Sequence, residues 1–178
     1  MNKKKTLFLV VSRSATGKDY AVDRICQTLG KKKVISRSTR EPRYGGEKTH
    51  IFVPYSEGEK DWNDGSAIIK QYVQNKDRKD MYYVKREDLQ DADFYLIFPT
   101  GVKDIEDHRD QFPEFEFVTI EIKTPLFTRV QRMIKRGDPK LGIIKRLIYE
   151  VKEFKGFKAD ITFKDNESMI RAFEKINK

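Results

Sequence analysis

The residues best suited to chemistry form a small, polar segment near the amino terminus, Ser12-Arg13-Ser14-Ala15-Thr16-Gly17-Lys18-Asp19. Backbone N–H groups in a tight loop and at a helix start can surround phosphate oxygens, and one lysine adds a compact positive charge. Gly17 lets the backbone approach an anion closely, and Lys18 is the cation. The segment therefore predicts a site for a phosphate chain, with Lys18 as its principal positive charge.

The segment departs in two places from the phosphate-loop pattern G-x-x-x-x-G-K-[S/T]. Ser12 stands at the first glycine, and Asp19 replaces the hydroxyl that normally touches Mg²⁺. An acid at that position either binds the metal through oxygen or repels the nucleotide. The alternative is a strand–helix corner in which Gly-Lys contacts no ligand.

The surrounding residues predict the elements that hold this loop. Residues 7–11 are a continuous apolar run, as in a strand buried on both faces, and residues 19–29 have helical spacing that ends at Gly30. Residues 34–36 predict a short second strand.

The alternation of strand and helix is then interrupted and resumes. Residues 37–91 are rich in charge, glycine and tyrosine, so we interpret them as an inserted, partly β lobe. Further elements are predicted downstream: strands at residues 94–98, 115–122 and 160–163, and helices at residues 102–109, 125–136, 141–154 and 167–176. This order predicts an α/β fold with a parallel sheet covered by helices on both faces.

Length and charge limit the range of functions. A chain of 178 residues suits a single domain, which we divide into a core of residues 1–36 and 92–178 around the lobe. The formal net charge of +9 suits anionic partners or simply gives a solvated basic surface. The sequence does not favour nucleic acid as a partner, because the basic run 31–33 lacks the interleaved aromatics of a stacking platform.

The sequence also predicts a compartment. The single cysteine, Cys26, excludes an internal disulfide and lies on the apolar stripe of the first helix, so we expect it to be buried and unreactive. We find neither a signal peptide nor an apolar run of about 20 residues that could cross a bilayer. These features predict a cytoplasmic protein.

Residues 36–47, Ser-Arg-Ser-Thr-Arg-Glu-Pro-Arg-Tyr-Gly-Gly-Glu, resemble the signature of guanylate kinases, in which a serine leads into T-R-x-P-R and then G-E. The resemblance implies that Arg40 and Arg43 hold the phosphate of an acceptor GMP and that Ser36 contacts its base. Two guanidinium forks on one phosphate would also orient the attacking oxygen. In the other interpretation, these arginines simply face solvent.

The resemblance continues in order along nearly the whole chain. Tyr82 is similar to the family tyrosine of the Y-G-T segment, and residues 132–138 resemble the family lid. It implies catalytic lid arginines Arg132, Arg136 and Arg146, within a lid of about residues 132–146. The alternative for the lid is a basic amphipathic helix with a solvated face.

By the same resemblance, the residues expected to bind substrates fall into two sets. Those expected to bind ATP are Ser14, Ala15, Thr16, Gly17, Lys18 and Asp19. Those expected to bind the acceptor are Ser36, Arg40, Arg43, Glu47, His50, Gln74 and Tyr82.

Three departures from the family concern base choice, metal binding and phosphate binding. Gln74 stands where the family reads guanine with a glutamate, and a carboxamide presents a donor where a carboxylate only accepts, so guanine preference should weaken. Phe98 replaces an acid before Gly101, and we expect Asp19 to organise Mg²⁺ in its place. His50 occupies the position of a phosphate-binding tyrosine.

The resemblance implies an enzyme that uses ATP and Mg²⁺ to convert a nucleoside or deoxynucleoside monophosphate, GMP or dGMP being expected, to the diphosphate. A sugar-phosphate kinase on the same scaffold is one alternative. The other is a binding module that has lost catalysis and recognises phosphorylated partners through the acceptor lobe.

Overall fold

The polypeptide forms two four-stranded sheets and seven helices within the part of the chain that the computed structural model describes, residues 4–42, 44–74 and 78–176. The strands are β1 (Lys5–Ser12), β2 (Arg37–Ser38), β3 (Ile51–Phe52), β4 (Ile68–Gln74), β5 (Lys79–Val84), β6 (Phe94–Leu96), β7 (Phe115–Ile122) and β8 (Ile161–Phe163). The helices are α1 (Lys18–Leu29), α2 (Tyr55–Asn63), α3 (Arg86–Gln90), α4 (Pro99–Asp107), α5 (Leu126–Lys135), α6 (Lys140–Glu153) and α7 (Asn166–Ile176).

The first sheet is parallel throughout and has the order β6-β1-β7-β8. Strand β1 lies inside it and pairs with β7 over its whole length, from Lys5 opposite Phe115 to Ser12 opposite Ile122. This confirms the predicted α/β fold with a parallel sheet. Because the carboxyl end of β1 leads directly into the loop at residues 12–17, the sheet fixes where that loop begins.

Both faces of the parallel sheet are buried, as the unbroken apolar run of β1 predicts. Leu7, Leu9 and Val11 belong to one core cluster, whereas Val10 belongs to a second cluster beneath α1 and α7. Alternate residues of a strand point to opposite faces, so β1 supplies both clusters. Cys26 is only partly buried at the edge of the second cluster, and burial raises the pKa of its thiol to about 11, which keeps it in the unreactive protonated form.

The second sheet has the order β3-β2-β5-β4 and is mixed. β2 runs parallel to β3 and antiparallel to β5, and β4 and β5 form an antiparallel pair with an irregularity between Ile68 and Gln71. All four strands fall within the range predicted for the inserted lobe. The division of the chain into core, lobe and lid stays a prediction.

The strand predicted at residues 34–36 is wrong. Only Lys33 forms a bridge to the parallel sheet, beside Phe94, and the Val34 N–H donates to the Phe94 carbonyl at 2.7 Å. The chain then turns away, because the Ser36 carbonyl already accepts a bond from the N–H of Ile51 at the edge of the second sheet. A run this short does not reveal which of two sheets its backbone will join.

Glycines bound α1 at both ends. Gly17 precedes it with φ of 92°, and Gly30 follows it with φ of 62°, its N–H donating to the Cys26 carbonyl. Both φ values lie in the left-handed region, which residues with a side chain rarely adopt.

Among the described residues, no helix is both long enough and apolar enough to cross a membrane.

Candidate functional site

A cavity of about 270 Å³ lies where β1 gives way to α1. Its lining comes from the loop, the first turn of α1 and the end of α5. The lining residues are Ser12, Arg13, Ala15, Thr16, Gly17, Lys18, Asp19, Arg132 and Arg136. The cavity therefore collects four cationic side chains around a loop of backbone N–H groups, which is the composition of a polyphosphate site.

The loop backbone has the curvature that an anion cradle needs. Ala15 has φ of 60°, an uncommon value for a residue with a side chain, and Gly17 has φ of 92°. A Cβ atom added at Gly17 would lie 2.5 Å from Nδ2 of Asn166, which itself donates to the Thr16 carbonyl at 2.9 Å. Position 17 is thus restricted to glycine by its dihedral angle, and a larger residue would also have to displace the Asn166 side chain.

Lys18 is the first residue of α1, and its partly buried side chain lines the cavity. Burial lowers the pKa of Lys18, while the negative charges of Asp19 and Glu150 act in the opposite direction. Its Nζ is 5.9 Å from the centre of the Phe98 ring. A desolvated ammonium held in this position interacts strongly with any anion that enters the loop.

The three predicted lid arginines have different positions. Arg132 donates from Nη1 to the carbonyls of Thr16 at 2.7 Å and Ala15 at 3.2 Å, so it ties α5 to the loop. Arg136 also lines the cavity, and its guanidinium is paired with Asp138. Arg146 lies 3.6 Å from the same carboxylate and is not among the described residues that line the cavity.

Ser14 is bound by a buried ion pair. Its N–H donates to Oε1 of Glu150 at 2.6 Å, and its carbonyl accepts a bond from Nη1 of Arg129 at 3.2 Å. Arg129 and Glu150 also bond to each other at 2.7 Å, and both are 5% exposed. The pair connects α5 and α6 to the first part of the loop.

In the second sheet, three of the residues predicted to bind an acceptor lie together. Oγ of Ser36 and Nδ1 of His50 are 2.8 Å apart, and the His50 ring meets the Tyr82 ring edge-on with centroids 5.3 Å apart. These side chains come from the loop before β2, the loop before β3 and from β5. A hydroxyl, an imidazole and a phenol side by side can bond both a phosphate and the polar edge of a base.

Arg40 lies just after β2 of the second sheet and forms a buried ion pair with Glu47. Its terminal nitrogens donate to both carboxylate oxygens of Glu47, at 3.1 and 2.6 Å, and Thr49 Oγ1 donates to the same group. The guanidinium lies 4.8 Å from the centre of the Phe52 ring. An acceptor phosphate here would share Arg40 with a carboxylate that the chain itself supplies.

The structure resembles that of a guanylate kinase from Anaplasma phagocytophilum, with a TM-score of 0.58 over 97% of this chain and 82% of that chain. The two sequences are 19% identical. The chain has a guanylate-kinase-like fold. No protein-family model matches the sequence, and no protein of curated function matches it either.

Within this guanylate-kinase-like fold, several site residues were missed by sequence reasoning. These are Arg13, Arg129, Glu150 and Asn166. For the ion pair a signal was present: Glu150 lies seven residues after buried Ile143, on the inward face of α6, and Arg129 lies four residues before buried Met133 on α5. A charged residue on an otherwise apolar helical stripe indicates a partner of opposite charge, because a buried charge is costly unless it is paired.

A metal ion at this site would depend on the carboxylate of Asp19. Across the described residues, no group of three or more His, Cys, Asp or Glu side chains is placed to bind one. Asp19 does line the cavity beside Lys18. One carboxylate plus phosphate oxygens and water is the ligand set that Mg²⁺ commonly takes, so the residues present fit a nucleotide-bound Mg²⁺.

Two of the predicted acceptor residues are not described at the side-chain level. Arg43 lies outside the described residues. Gln74 is the last residue of β4, paired with Lys79, but its side chain also lies outside them.

Proposed function

We propose that this protein transfers the γ-phosphoryl group of ATP to a nucleoside or deoxynucleoside monophosphate, with GMP or dGMP as the expected acceptor. The observation that carries this proposal is the curved loop between β1 and α1, where Lys18, Arg132 and Arg136 line one cavity. The guanylate-kinase-like fold supports it, and so does the cluster of Ser36, His50 and Tyr82 in the second sheet.

In the proposed reaction the loop binds the phosphates of ATP, and Lys18 stabilises charge on the transferring group. Arg132 keeps the loop in place through its two bonds to carbonyls, and Arg136 adds a further positive charge to the cavity lining. No dedicated base is required, because the acceptor phosphate is already an anion. Catalysis is then positioning, charge neutralisation and exclusion of water.

Mg²⁺ would be held by Asp19 together with the phosphates, and when bound it neutralises charge on the phosphate oxygens. Phe98, 41% exposed near Lys18, has no group that could take this role. The acceptor would be bound by Ser36, Arg40, Arg43, Glu47, His50, Gln74 and Tyr82. Arg146, held near Asp138, would act only after rearrangement of the segment between α5 and α6.

The test is a coupled assay of ADP release with ATP, Mg²⁺ and a panel of ribonucleoside and deoxynucleoside monophosphates. Turnover should depend on the acceptor, and Lys18→Ala should reduce it at least a thousandfold, since an electrostatic contribution in a dry site is lost. A matched control is Lys145→Ala, which removes an exposed lysine of α6. Equal turnover by wild type and Lys18→Ala would contradict the proposal.

The same assay separates the alternatives. Turnover with sugar phosphates and none with nucleoside monophosphates would favour a sugar-phosphate kinase on this scaffold. ATP binding with no turnover on any acceptor would favour a binding module.

A further inference from the structure

In the Arg129–Glu150 pair, the Glu150 carboxylate also bonds to a backbone N–H of the phosphate loop. An ion pair that only joined α5 to α6 would not need this bond. The Ser14 N–H donates to Glu150 at 2.6 Å, a short charge-assisted bond. Backbone N–H groups of such a loop are the donors that phosphate oxygens use. Glu150 therefore occupies a donor that a bound phosphate chain would also seek.

The charge of Glu150 reaches the rest of the site as well. It lies close enough to Lys18 to favour the charged form of that buried amine. Its other oxygen is neutralised by Arg129, which bonds to the Ser14 carbonyl. In the absence of ligand, the loop thus has an internal anion as counter-ion.

The packing of α6 would allow this anion to be displaced. Of the fourteen residues of α6, Ile143 and Glu150 are the buried ones. Four apolar side chains at spacings of three and four residues lie instead on its exposed side: Leu141, Ile144, Ile148 and Val151. The helix turns few apolar side chains to the core, namely Ile143, partly buried Leu147 and Phe154 at its end, and the Glu150 carboxylate bonds it to the loop.

We propose that Glu150 is an internal competitor for the phosphate loop, which a polyphosphate must displace from Ser14 in order to bind fully. Glu150 then sets the affinity of the site for phosphate chains and links their binding to the position of α6. This inference rests on the proposed function only in taking the loop to be a phosphate site. It does not depend on which acceptor is used.

The test compares the binding of inorganic tripolyphosphate, measured by titration calorimetry without metal at low salt, for wild type and variants of the full chain. In Glu150→Gln the amide oxygen still accepts the Ser14 N–H, but the negative charge is gone. We expect its affinity for tripolyphosphate to rise at least tenfold. The control is Glu153→Gln, since Glu153 lies on the same helix and accepts the N–H of Thr100 at 3.0 Å, outside the loop. Its affinity should change less than threefold.

A second variant covers the case in which Arg129, left without its partner, disturbs folding. Arg129→Leu combined with Glu150→Leu replaces a buried ion pair by apolar side chains, a change that is often neutral or stabilising. It should also bind tripolyphosphate at least tenfold more tightly than wild type.

The outcomes separate this inference from the proposed function. If wild type binds tripolyphosphate and neither variant binds it more tightly, Glu150 only fixes the loop and the inference fails, whereas the proposed function stands. If neither wild type nor the variants bind tripolyphosphate or ATP, the loop is not a phosphate site and both fail.

Discussion

Lys18 lowers the stability of the folded protein because its charged side chain is placed for the proposed activity. Its side chain is partly buried, and burial lowers its pKa despite the opposing charges of Asp19 and Glu150. A lowered lysine pKa means that the folded state holds the proton less tightly than the unfolded chain does, so the charged amine destabilises the empty protein. Residues placed for function often reduce stability in this way.

We therefore predict that Lys18→Met stabilises the protein while abolishing phosphate binding. The gain in free energy of unfolding at pH 7 should be about 1 kcal/mol. The charged amine lowers the free energy of unfolding by its full amount at every pH below the folded-state pKa of Lys18. This loss of stability diminishes as the pH rises from the folded-state pKa towards 10.5, the ordinary value. The advantage of Lys18→Met should thus shrink between pH 7 and pH 10.

Urea unfolding at the two pH values measures this difference, with exposed Lys145→Met as control. The prediction fails if Lys18→Met is less stable than wild type at pH 7, because the burial cost would then be fully compensated.

For individual residues, the sequence predicts those whose role depends on their neighbours in the chain. It misses those that pair with residues far away in the sequence. Gly17 and Lys18 could be identified because the loop is continuous in sequence and lies between a recognisable strand and helix. Glu150 could not be assigned to Ser14, since 136 positions separate them and nothing in a helical pattern specifies its partner across the core. The pairing of Arg40 with Glu47 escaped for another reason: the geometry of an irregular loop follows no period.

At the scale of elements, a buried polar network joins helix α2 to the second sheet. Asp61 of α2 is 5% exposed and accepts bonds from Tyr83 of β5 at 2.7 Å and from Ser66 at 3.2 Å. Lys85, just after β5, lies 2.9 Å from the same carboxylate. Since β5 also carries Tyr82, this network supports the sheet that presents the candidate acceptor residues.

Burial acts to raise the pKa of Asp61, but the bonds from Lys85 and Tyr83 outweigh it and the pKa lies below 3.8. Asp61→Asn should therefore lower the free energy of unfolding by about 2–3 kcal/mol at pH 7. This contribution is present above the unfolded-state pKa and is lost as pH falls through the folded-state value. The difference in free energy of unfolding between wild type and Asp61→Asn should therefore become smaller below pH 3.8.

Thermal unfolding across pH 2.5–7 checks this prediction, and Glu59→Gln, an exposed acid on the same helix, is the control. A gap that stays constant down to the lowest pH would show that shape, rather than charge, makes Asp61 important.

Elements with strong periodicity or long apolar runs could be placed from the sequence, and shorter ones could not. β7 has the predicted bounds, and α6 differs from the prediction by one residue at each end. The predicted second strand failed because its three residues join neither sheet as a unit. The helix α2 was also missed, since its sequence Tyr-Ser-Glu-Gly-Glu-Lys-Asp-Trp-Asn has no apolar stripe to indicate it.

For the molecule as a whole, the two sheets share a core. The larger cluster contains Leu7 and Leu9 of the parallel sheet together with Ile69 and Val84 of the second sheet. The methyl group of Ile69 approaches Gly101 of α4, where an added Cβ would lie 3.7 Å from it. Burying each such side chain contributes roughly 1.5–3 kcal/mol, and neither sheet keeps that contribution if the other unfolds.

We therefore predict that lobe and core unfold together as one cooperative unit. The single tryptophan, Trp62, packs beside Tyr83 and Met81 in the second sheet, so its fluorescence reports on the lobe. Far-ultraviolet circular dichroism reports mainly on the helices around the parallel sheet. The two urea transitions should have midpoints that agree within error. Replacing Ile69 by Ala, which opens a cavity in the shared cluster, should move both midpoints down by the same amount. A fluorescence transition at lower urea, shifted alone by Ile69→Ala, would instead mean that the lobe is a separate unit that rests on the core.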